Sequence, residues 1–381
     1  MAMKRLLSGV LREKLKRFPA VALLGPRQAG KTTLAKTLST LYYDLEQEEE
    51  QLRLDLTWSS IVQSKRLIVL DEAQAMPAIF PRLRGAIDSH RKQNGRFLIL
   101  GSVAPALMRN VSESLAGRLS ICELSPFFLK EFKKSLHEDD LWLRGGFPDG
   151  GILQKRNFPG WQNDYLTLLA QRDLPAWGLA AKPQTTLKFF KMLAACHGQI
   201  WNASRIGSSM GLSYHTVNQY LDYLQNAYLI FVLQPFHANI RKRLVKSPKI
   251  FWRDSGLVHA LLGTGSKENL LAAPWVGTSW EGWGMGQIIS TLQSAGESFD
   301  AYYFRTSDGA EIDLVLEFSK GRWAFEFKLT SAPSPEDMKR LNAAGDLIRA
   351  DKRLLISKTE RPAGGSKFIS LNIRQCLDQI L

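Results

Sequence analysis

The chain has 381 residues, of which 45% are hydrophobic and 23% are charged, values typical of a globular protein with two or three domains. No apolar run approaches the length that crosses a bilayer, and the basic start lacks the features of a secretory signal. The three cysteines, Cys122, Cys196 and Cys376, are widely spaced and form neither a metal motif nor a disulfide framework. We therefore expect a cytoplasmic protein without a membrane partner.

The formal net charge is +14, and the excess is concentrated in the middle of the sequence. Residues 151–262 contain 13 Lys and Arg against 4 Asp and Glu. A localised basic balance of this kind favours a polyanionic partner, and DNA is the partner we expect.

A phosphate-binding loop is the first motif along the chain. The apolar run 20–24 is typical of a buried strand, and residues 33–38 have the composition of a helix start. The octet between them has two glycines separated by four residues and followed by Lys31 and Thr32, so we expect Lys31 on the β- and γ-phosphates of ATP and Thr32 on Mg²⁺. The predicted nucleotide-binding residues are Gly25, Pro26, Arg27, Gln28, Ala29, Gly30, Lys31, Thr32 and Thr33.

An acidic strand end follows about forty residues later. Residues 67–70 are apolar and predict a central parallel strand, which ends in Asp71 and Glu72. Open α/β sheets bind ligands at this edge, so Asp71 suits the Mg²⁺ contact and Glu72 suits the base that orients the attacking water. The alternative is that the two carboxylates only cap a helix.

Two further residues are candidates for the catalytic machinery. Ser102 follows the predicted strand 96–100, where its hydroxyl can sense the γ-phosphate or hold the water. Arg118 follows a Leu-Ala-Gly sequence and can complete the transition-state clamp, within the chain or from a neighbouring subunit. The alternatives are a turn residue for Ser102 and a surface cation for Arg118.

The basic middle segment predicts a winged-helix module. Residues 202–212 suggest a short helix and a turn, and 213–224 have the apolar spacing of a capped amphipathic helix. Two strands, 228–233 and 249–252, follow around a basic turn. The predicted nucleic-acid residues are His215, Asn218, Gln219, Arg241, Lys242, Arg243 and Lys246. The alternatives are a helical packing domain with a solvated hairpin, or a module that contacts protein.

The last part of the chain contains paired strands with acidic residues. The segments 309–317 and 322–328 alternate like two strands of a hairpin, which places Asp313 beside Glu326 and Lys328. Such a set can hold Mg²⁺ and steer a water at a phosphodiester, with Glu281 as a further ligand from a preceding helix. The alternative is a cross-strand ladder of salt bridges.

Together these motifs resemble a family of bacterial and archaeal AAA-type ATPases with a C-terminal domain of unknown function. The resemblance is carried by the phosphate loop, the Asp71-Glu72 strand end, Gly101-Ser102 and Ala116-Gly117-Arg118. It continues through Ser125-Pro126-Phe127, Gly145-Gly146-Phe147-Pro148, Arg172-Asp173-Leu174 and the tail strands. The resemblance implies an AAA-like core, a winged helix and a terminal domain like the PD-(D/E)xK nucleases. In that nuclease pattern Asp313, Glu326 and Lys328 fall on metal-binding positions, and Glu281 on the helical acidic one.

The resulting prediction is an α/β protein with three domains. Residues 1–150 form a P-loop AAA-like parallel-sheet ATPase core, 151–262 a winged-helix middle domain, and 263–381 an α/β restriction-endonuclease-like domain. The predicted function is Mg²⁺-dependent ATP binding and hydrolysis coupled to DNA binding or remodelling, in a homo-oligomer such as a ring, with a nuclease-like tail. The alternative is a nucleotide-controlled protein-interaction switch with an inert tail.

Overall fold

The computed structural model describes residues 3–101, 115–132, 136–237 and 246–381. The chain forms two compact units. The first unit comprises Met1–Phe127 with Asn226–Tyr228 and Ser294–Gly296, and the second comprises Phe128–Gln225, Leu229–Gln293 and Glu297–Leu381.

The first unit contains alternating helices and strands. In chain order its described elements are α1 (Ser8–Arg17), β1 (Ala20–Leu24), α2 (Lys31–Lys36), β2 (Leu41–Asp44), α3 (Glu48–Ile61), β3 (Ile68–Asp71), α4 (Ile79–Ser89), β4 (Phe97–Gly101) and β5 (Leu119–Glu123). The predicted strands at 20–24, 67–70 and 96–100 are confirmed as β1, β3 and β4, and the predicted helix start is confirmed by α2.

The five strands form one parallel sheet in the order β2-β3-β4-β1-β5. Strand β1 is buried throughout and has an apolar cluster on each face, because side chains alternate along a strand. Ala20, Ala22 and Leu24 pack in one cluster, and Val21 and Leu23 in the other. This burial on both faces explains the unbroken apolar run, and it fixes the carboxyl edge of the sheet where β1, β3 and β4 end.

The second unit contains both the middle segment and the C-terminal segment of the chain. Its described helices are α5 (Glu138–Arg144), α6 (Gly160–Leu168), α7 (Leu174–Ala176), α8 (Pro183–Ala195), α9 (Ala203–Met210), α10 (Tyr214–Asn226, whose last residue belongs to the first unit), α11 (Ser255–Leu261), α12 (Lys267–Ala272), α13 (Val276–Ala295, whose last two residues belong to the first unit), α14 (Pro335–Leu347) and α15 (Ile373–Gln379). Its strands are β6 (Ile230–Pro235), β7 (Lys249–Trp252), β8 (Asp300–Arg305), β9 (Glu311–Phe318), β10 (Gly321–Phe327), β11 (Lys352–Ser357), β12 (Ala363–Gly364) and β13 (Phe368–Asn372).

One mixed sheet runs through this unit in the order β12-β13-β11-β10-β9-β8-β6-β7. The predicted tail hairpin is confirmed by the antiparallel pair β9 and β10. The predicted strands at 228–233 and 249–252 are present as β6 and β7, which also pair antiparallel. Strand β6 in addition pairs with β8 through Gln234 and Pro235, so the hairpin of the middle segment continues the sheet of the tail.

The predicted domain boundaries at 150 and 262 both lie within the second unit. The pairing of β6 with β8 is the physical reason that the middle and tail segments cluster together. The glycine-rich segment just before the boundary predicted at residue 150 is packed: the Gly146 amide donates to Asp254 Oδ2 at 2.7 Å, and a Cβ at Gly145 would lie 2.1 Å from Asp254 Oδ1. The division into three domains stays a prediction.

Within the described ranges, no helix is both long and apolar enough to cross a lipid bilayer.

Candidate functional site

The phosphate loop links the end of β1 to the start of α2. Gly25 has φ +146°, and a Cβ there would lie 2.2 Å from the carbonyl oxygen of Leu124, so this position requires glycine. Gly30 precedes α2 in the left-handed conformation, with φ +94°. These two glycines shape the turn that presents the first amides of α2, which is an arrangement that suits an anion.

Lys31 is buried at the first position of α2 and bends back over the loop. Its Nζ donates to the carbonyl oxygens of Gly25 at 2.9 Å and Pro26 at 2.8 Å. Burial lowers the pKa of Lys31 to about 8, against the carboxylates of Glu72 and Asp71, which raise it. The ammonium is therefore held in place by weak acceptors, and phosphate oxygens would be stronger ones.

Thr32 and Asp71 come together as the sequence predicts for a Mg²⁺ site. Thr32 Oγ1 donates to Asp71 Oδ2 at 2.5 Å, and the backbone amide of Glu72 donates to Asp71 Oδ1 at 2.9 Å. Asp71 is 3% exposed at the carboxyl end of β3. A hydroxyl and a carboxylate side by side are the oxygen donors that Mg²⁺ prefers, so these residues fit the ion.

Tyr42 is a part of this site that the sequence did not reveal. Its hydroxyl donates to Asp71 Oδ2 at 2.8 Å from the neighbouring strand β2. Burial, followed by the hydrogen bond to Asp71, raises the pKa of Tyr42, so the phenol stays protonated and keeps donating. Because β2 lacks a nucleotide motif, only the sheet order could have identified this contact.

Glu72 occupies the position directly after β3 in a strained backbone conformation. Its φ of +46° and ψ of +46° lie in the left-handed region, which is unfavourable for a residue with a Cβ. Gln74 Nε2 donates to Glu72 Oε2 and restrains the carboxylate. The geometry suits a group that must be aimed at one point beside the phosphate loop.

The remaining loop residues surround this centre. Arg27 is half-buried and its Nη2 lies 3.2 Å from Glu46 Oε1. Gln28 is exposed with φ +63°, and Thr33 is exposed on α2. Pro26 and Ala29 are buried.

Arg5 holds the loop from outside the motif, and sequence reasoning missed it because it belongs to no local pattern. Arg5 is 5% exposed, and its Nη1 donates to the Ala29 carbonyl oxygen at 2.8 Å. Its Nη2 donates to the Ser125 carbonyl oxygen at 2.6 Å, and the guanidinium lies 4.4 Å from the ring centre of Phe127. This single arginine therefore ties the phosphate loop to the Ser125-Pro126-Phe127 motif.

Arg118 lies at the sheet edge opposite the phosphate loop. It directly precedes β5, whose first residue Leu119 pairs with Ala20 at the start of β1. Strand β1 has five residues, so its first residue and the phosphate loop at its other end are roughly 15 Å apart. Arg118 instead makes a bidentate contact with Asp88, from Nε to Oδ1 at 2.8 Å and from Nη2 to Oδ2 at 2.9 Å. This position does not fit the prediction that Arg118 completes the transition-state clamp of its own chain.

Ser102 lies outside the described residues, directly after Gly101 at the end of β4. Arg241, Lys242 and Arg243 also lie outside them.

The other predicted nucleic-acid residues lie on α10 and before β7. The predicted N-cap of α10 is confirmed, since Ser213 Oγ accepts from the Thr216 amide at 3.1 Å. His215 and Gln219 are exposed, whereas Asn218 is half-buried and its Oδ1 accepts from Trp201 Nε1 at 2.9 Å. Lys246 is exposed. The exposed positions are available to a partner, while Asn218 already has an internal hydrogen bond.

Asp313, Glu326, Lys328 and Glu281 come together in the second unit, as the sequence predicts. They line a pocket of 670 Å³. Asp313 Oδ2 accepts from the Phe327 amide at 2.9 Å, and Lys328 Nζ donates to Glu326 Oε1 at 2.7 Å. Glu311 belongs to the same cluster, since it lies two residues before Asp313 on β9.

Burial dominates the electrostatics of this pocket. It raises the pKa of Glu326 to about 8, with the Asp313 carboxylate adding to the effect. Burial and the Asp313 charge also raise the pKa of Glu281 well above its usual range. For Lys328, burial works toward a lower pKa, but the Glu326 carboxylate outweighs it and the pKa is raised. The carboxyl groups crowd one another and favour any cation among them.

Lys249 supplies such a cation from the first position of β7, the strand that follows the predicted basic turn. Its side chain is 5% exposed, with Nζ 2.8 Å from Glu311 Oε1 and 3.4 Å from Glu281 Oε1. Among the described residues, no group of three or more His, Cys, Asp or Glu is arranged to hold a metal ion. With an ammonium inside the cluster, the predicted tail ligands do not fit a divalent ion, and these contacts are of the salt-bridge kind that we named as the alternative.

A family match covers the residues of the phosphate-loop site. Residues 17–133 match the family described as "AAA domain", and residues 135–268 and 276–375 match two domains of unknown function, DUF8612 and DUF4143. The Walker-type ATPase PABY2304 of Pyrococcus abyssi is 16% identical, with a TM-score of 0.48 over 68% of this chain and 96% of that one.

The parallel sheet, the phosphate loop and the AAA match define a P-loop AAA-type domain in the first unit. The uncharacterized proteins Mb2031c of Mycobacterium bovis and Rv2008c of Mycobacterium tuberculosis are each 39% identical over 329 residues, 85% of this chain and 73% of theirs. The chain belongs to the family of these two mycobacterial proteins.

Proposed function

We propose that the protein is a Mg²⁺-dependent ATPase whose nucleotide state controls its engagement of DNA. The observation that carries the proposal is the contact of Thr32 Oγ1 with Asp71 Oδ2 at 2.5 Å, beside the buried Lys31 ammonium. Three groups from two elements thus converge at the carboxyl edge of the parallel sheet, where such sheets bind ligands.

Each residue has a defined role in this proposal. Lys31 pairs with the β- and γ-phosphates in place of its present carbonyl acceptors. Thr32 and Asp71 would hold Mg²⁺, which offsets phosphate charge when bound. Glu72, restrained by Gln74, orients the attacking water and accepts its proton.

Metal removal tests the activity directly. We expect the purified full chain to release inorganic phosphate from ATP in the presence of Mg²⁺. Release should stop with excess EDTA and return when Mg²⁺ is restored, because the phosphate charge is otherwise uncompensated. Phosphate release that persists in EDTA, or a chain that neither binds nor hydrolyses ATP, contradicts the proposal.

Arg118 acts on the site of a neighbouring subunit in this proposal, since it lies at the edge opposite its own phosphate loop. We expect Arg118→Ala to slow hydrolysis by about 10³-fold, the lower end of what such arginines contribute. In a mixed oligomer, a Lys31→Ala chain still supplies Arg118 to the intact phosphate-loop site of an Arg118→Ala neighbour. A mixture of the two variants should therefore be more active than either variant alone. Arg91→Ala, which removes an exposed arginine that also contacts Asp88, is the matched control. Equal activity of Arg118→Ala and the unaltered chain rules this role out.

DNA engagement is supported by the exposed positions of His215, Gln219 and Lys246 and by the basic balance of residues 151–262. Helices α9 and α10 followed by the hairpin β6–β7 have the element order of a winged helix. We expect duplex or branched DNA to bind with an affinity that falls steeply with salt, and Lys246→Ala to lower the slope by about 0.9. ATP hydrolysis measured with a panel of DNA structures shows whether one of them stimulates it.

A nucleotide-controlled protein switch is the second candidate function. It is favoured by two positions: Asn218 is hydrogen-bonded to Trp201, and Lys249 is buried, so neither is free to meet DNA. This candidate predicts weak, salt-insensitive DNA binding and hydrolysis that no DNA structure stimulates.

A further inference from the structure

A buried lysine occupies the carboxylate pocket of the second unit. Lys249 is the first residue of β7, at the edge of the mixed sheet, and its ammonium lies within 3.4 Å of both Glu311 and Glu281. It reaches the pocket from the middle segment, about sixty residues before the tail strands that supply Glu311 and Asp313.

The pocket around it has the chemistry of a cation site. Asp313 is 7% exposed and Glu281 has a side chain that is 13% exposed, so their carboxyl groups are poorly solvated. The Oε2 atom of Glu326 is buried and has no hydrogen-bond partner among the described residues. Buried carboxyl oxygens require a donor or a cation, and here the donors are few.

Local structure holds Lys249 firmly in this position. Lys249 pairs with Leu233 on β6, and it also forms an antiparallel bridge with Ile200. The Trp201 amide also donates to the Pro248 carbonyl oxygen at 2.7 Å. The ammonium lies 5.4 Å from the ring centre of Tyr303, within cation–π range. Because the backbone at Lys249 is paired with both Leu233 and Ile200, the ammonium is held inside the pocket.

We infer that Lys249 takes the place of a divalent cation in this chain. The nuclease-like resemblance implies a metal ion at Asp313 and Glu326, but an ion there would lie beside the buried Lys249 ammonium, which would repel it and which already occupies the Glu281 and Glu311 oxygens. The wild-type pocket therefore binds no divalent cation. Removing the ammonium takes the Lys249 charge away from Glu281 and Glu311, while Lys328 stays paired with Glu326 and Arg305 with Glu311. The net negative charge of the pocket then rises, and the pocket becomes a divalent-cation site.

Mn²⁺ binding to the nucleotide-free full chain tests the inference, because Mn²⁺ takes the same oxygen ligands as Mg²⁺. Free Mn²⁺ is followed by electron paramagnetic resonance during titration. We expect Lys249→Met to bind one Mn²⁺ per chain more than the wild type binds. The matched control Lys246→Met removes an exposed lysine three residues earlier and should behave like the wild type.

Adding Asp313→Asn to Lys249→Met should abolish the new binding, which separates it from any binding near Asp71. The inference is overturned if the wild type binds Mn²⁺ in a manner that Asp313→Asn removes. It is also overturned if Lys249→Met folds, as judged by circular dichroism, and gains no site. Lys249→Gln is the second variant in case Lys249→Met does not fold, and the comparison of the wild type with Asp313→Asn can overturn the inference without any Lys249 variant. The measurement needs no ATP, so it is independent of the proposed ATPase.

Discussion

The Lys31→Ala variant is expected to hydrolyse ATP at least about 100-fold more slowly than the unaltered chain, the usual cost of removing one preorganised charge from a transition state. Lys31 is the ammonium held over the loop by Gly25 and Pro26, where it meets the charge that develops on the transferred phosphoryl group. Phosphate release at saturating ATP and Mg²⁺ measures the effect. ATP affinity should fall as well, because the ground-state phosphates lose the same partner.

The matched control is Lys16→Ala, which removes the same charge from an exposed position on α1 that is 70% accessible. It should leave the rate and the affinity unchanged. Hydrolysis that survives in Lys31→Ala at the rate of the control would mean that the phosphate loop does not carry the activity.

The pKa of Lys31 gives the same site a second signature. Since burial lowers this pKa to about 8, the free site loses its positive charge as the pH rises through that value. ATP binds more tightly when Lys31 is charged. The ATP affinity should therefore be independent of pH below 8 and should fall above pH 8, by up to tenfold per pH unit. Calorimetric titrations at pH 8.5 in two buffers should show proton uptake on binding. Lys31→Ala should show neither this uptake nor the decline in affinity.

Most of the side chains that come together at the candidate phosphate-loop site could be found from the sequence because their signals are local. A buried strand, a turn with two glycines and a helix start lie within twenty residues, and Asp71 follows a strand whose apolar run is unmistakable. Arg5 and Tyr42 were missed for the opposite reason. Each reaches the site through a contact between distant segments, and neither belongs to a pattern that a window of sequence contains.

The second unit shows where local charge misleads. Lys249 follows directly on a stretch rich in Lys and Arg, where an exposed cation is expected, yet the pairing of β6 with β8 brings its strand to a pocket of carboxyl groups. Strand partners in a mixed sheet depend on long-range packing, so the alternation of residues predicts a strand but not its neighbours. Arg118 is a similar case. Its role depends on which edge of the parallel sheet it lies at, and the order of motifs along the chain does not determine that edge.

The Glu72→Gln variant is expected to bind ATP within about twofold of the unaltered chain and to hydrolyse it about 10²–10³-fold more slowly, the range that general-base catalysis contributes. The amide oxygen of glutamine can still accept from Gln74 Nε2, and its length and backbone requirements match those of glutamate, so the strained φ of +46° is not made worse. Only the capacity to accept a proton is lost. Asp71→Asn differs because it weakens the Mg²⁺ ligand set, and it should therefore reduce nucleotide affinity in Mg²⁺.

Because Glu72→Gln keeps ATP bound and uncleaved, it also tests whether the nucleotide controls the second unit. DNA affinity of this variant with ATP is compared with that of the unaltered chain with ADP, at one fixed salt concentration because phosphate contacts depend on it. A ligand can shift binding at another site only by its differential affinity for two states of the protein. A difference of about fivefold or more is expected if ATP drives DNA engagement, whereas equal DNA affinity in the two nucleotide states would show that hydrolysis serves another partner.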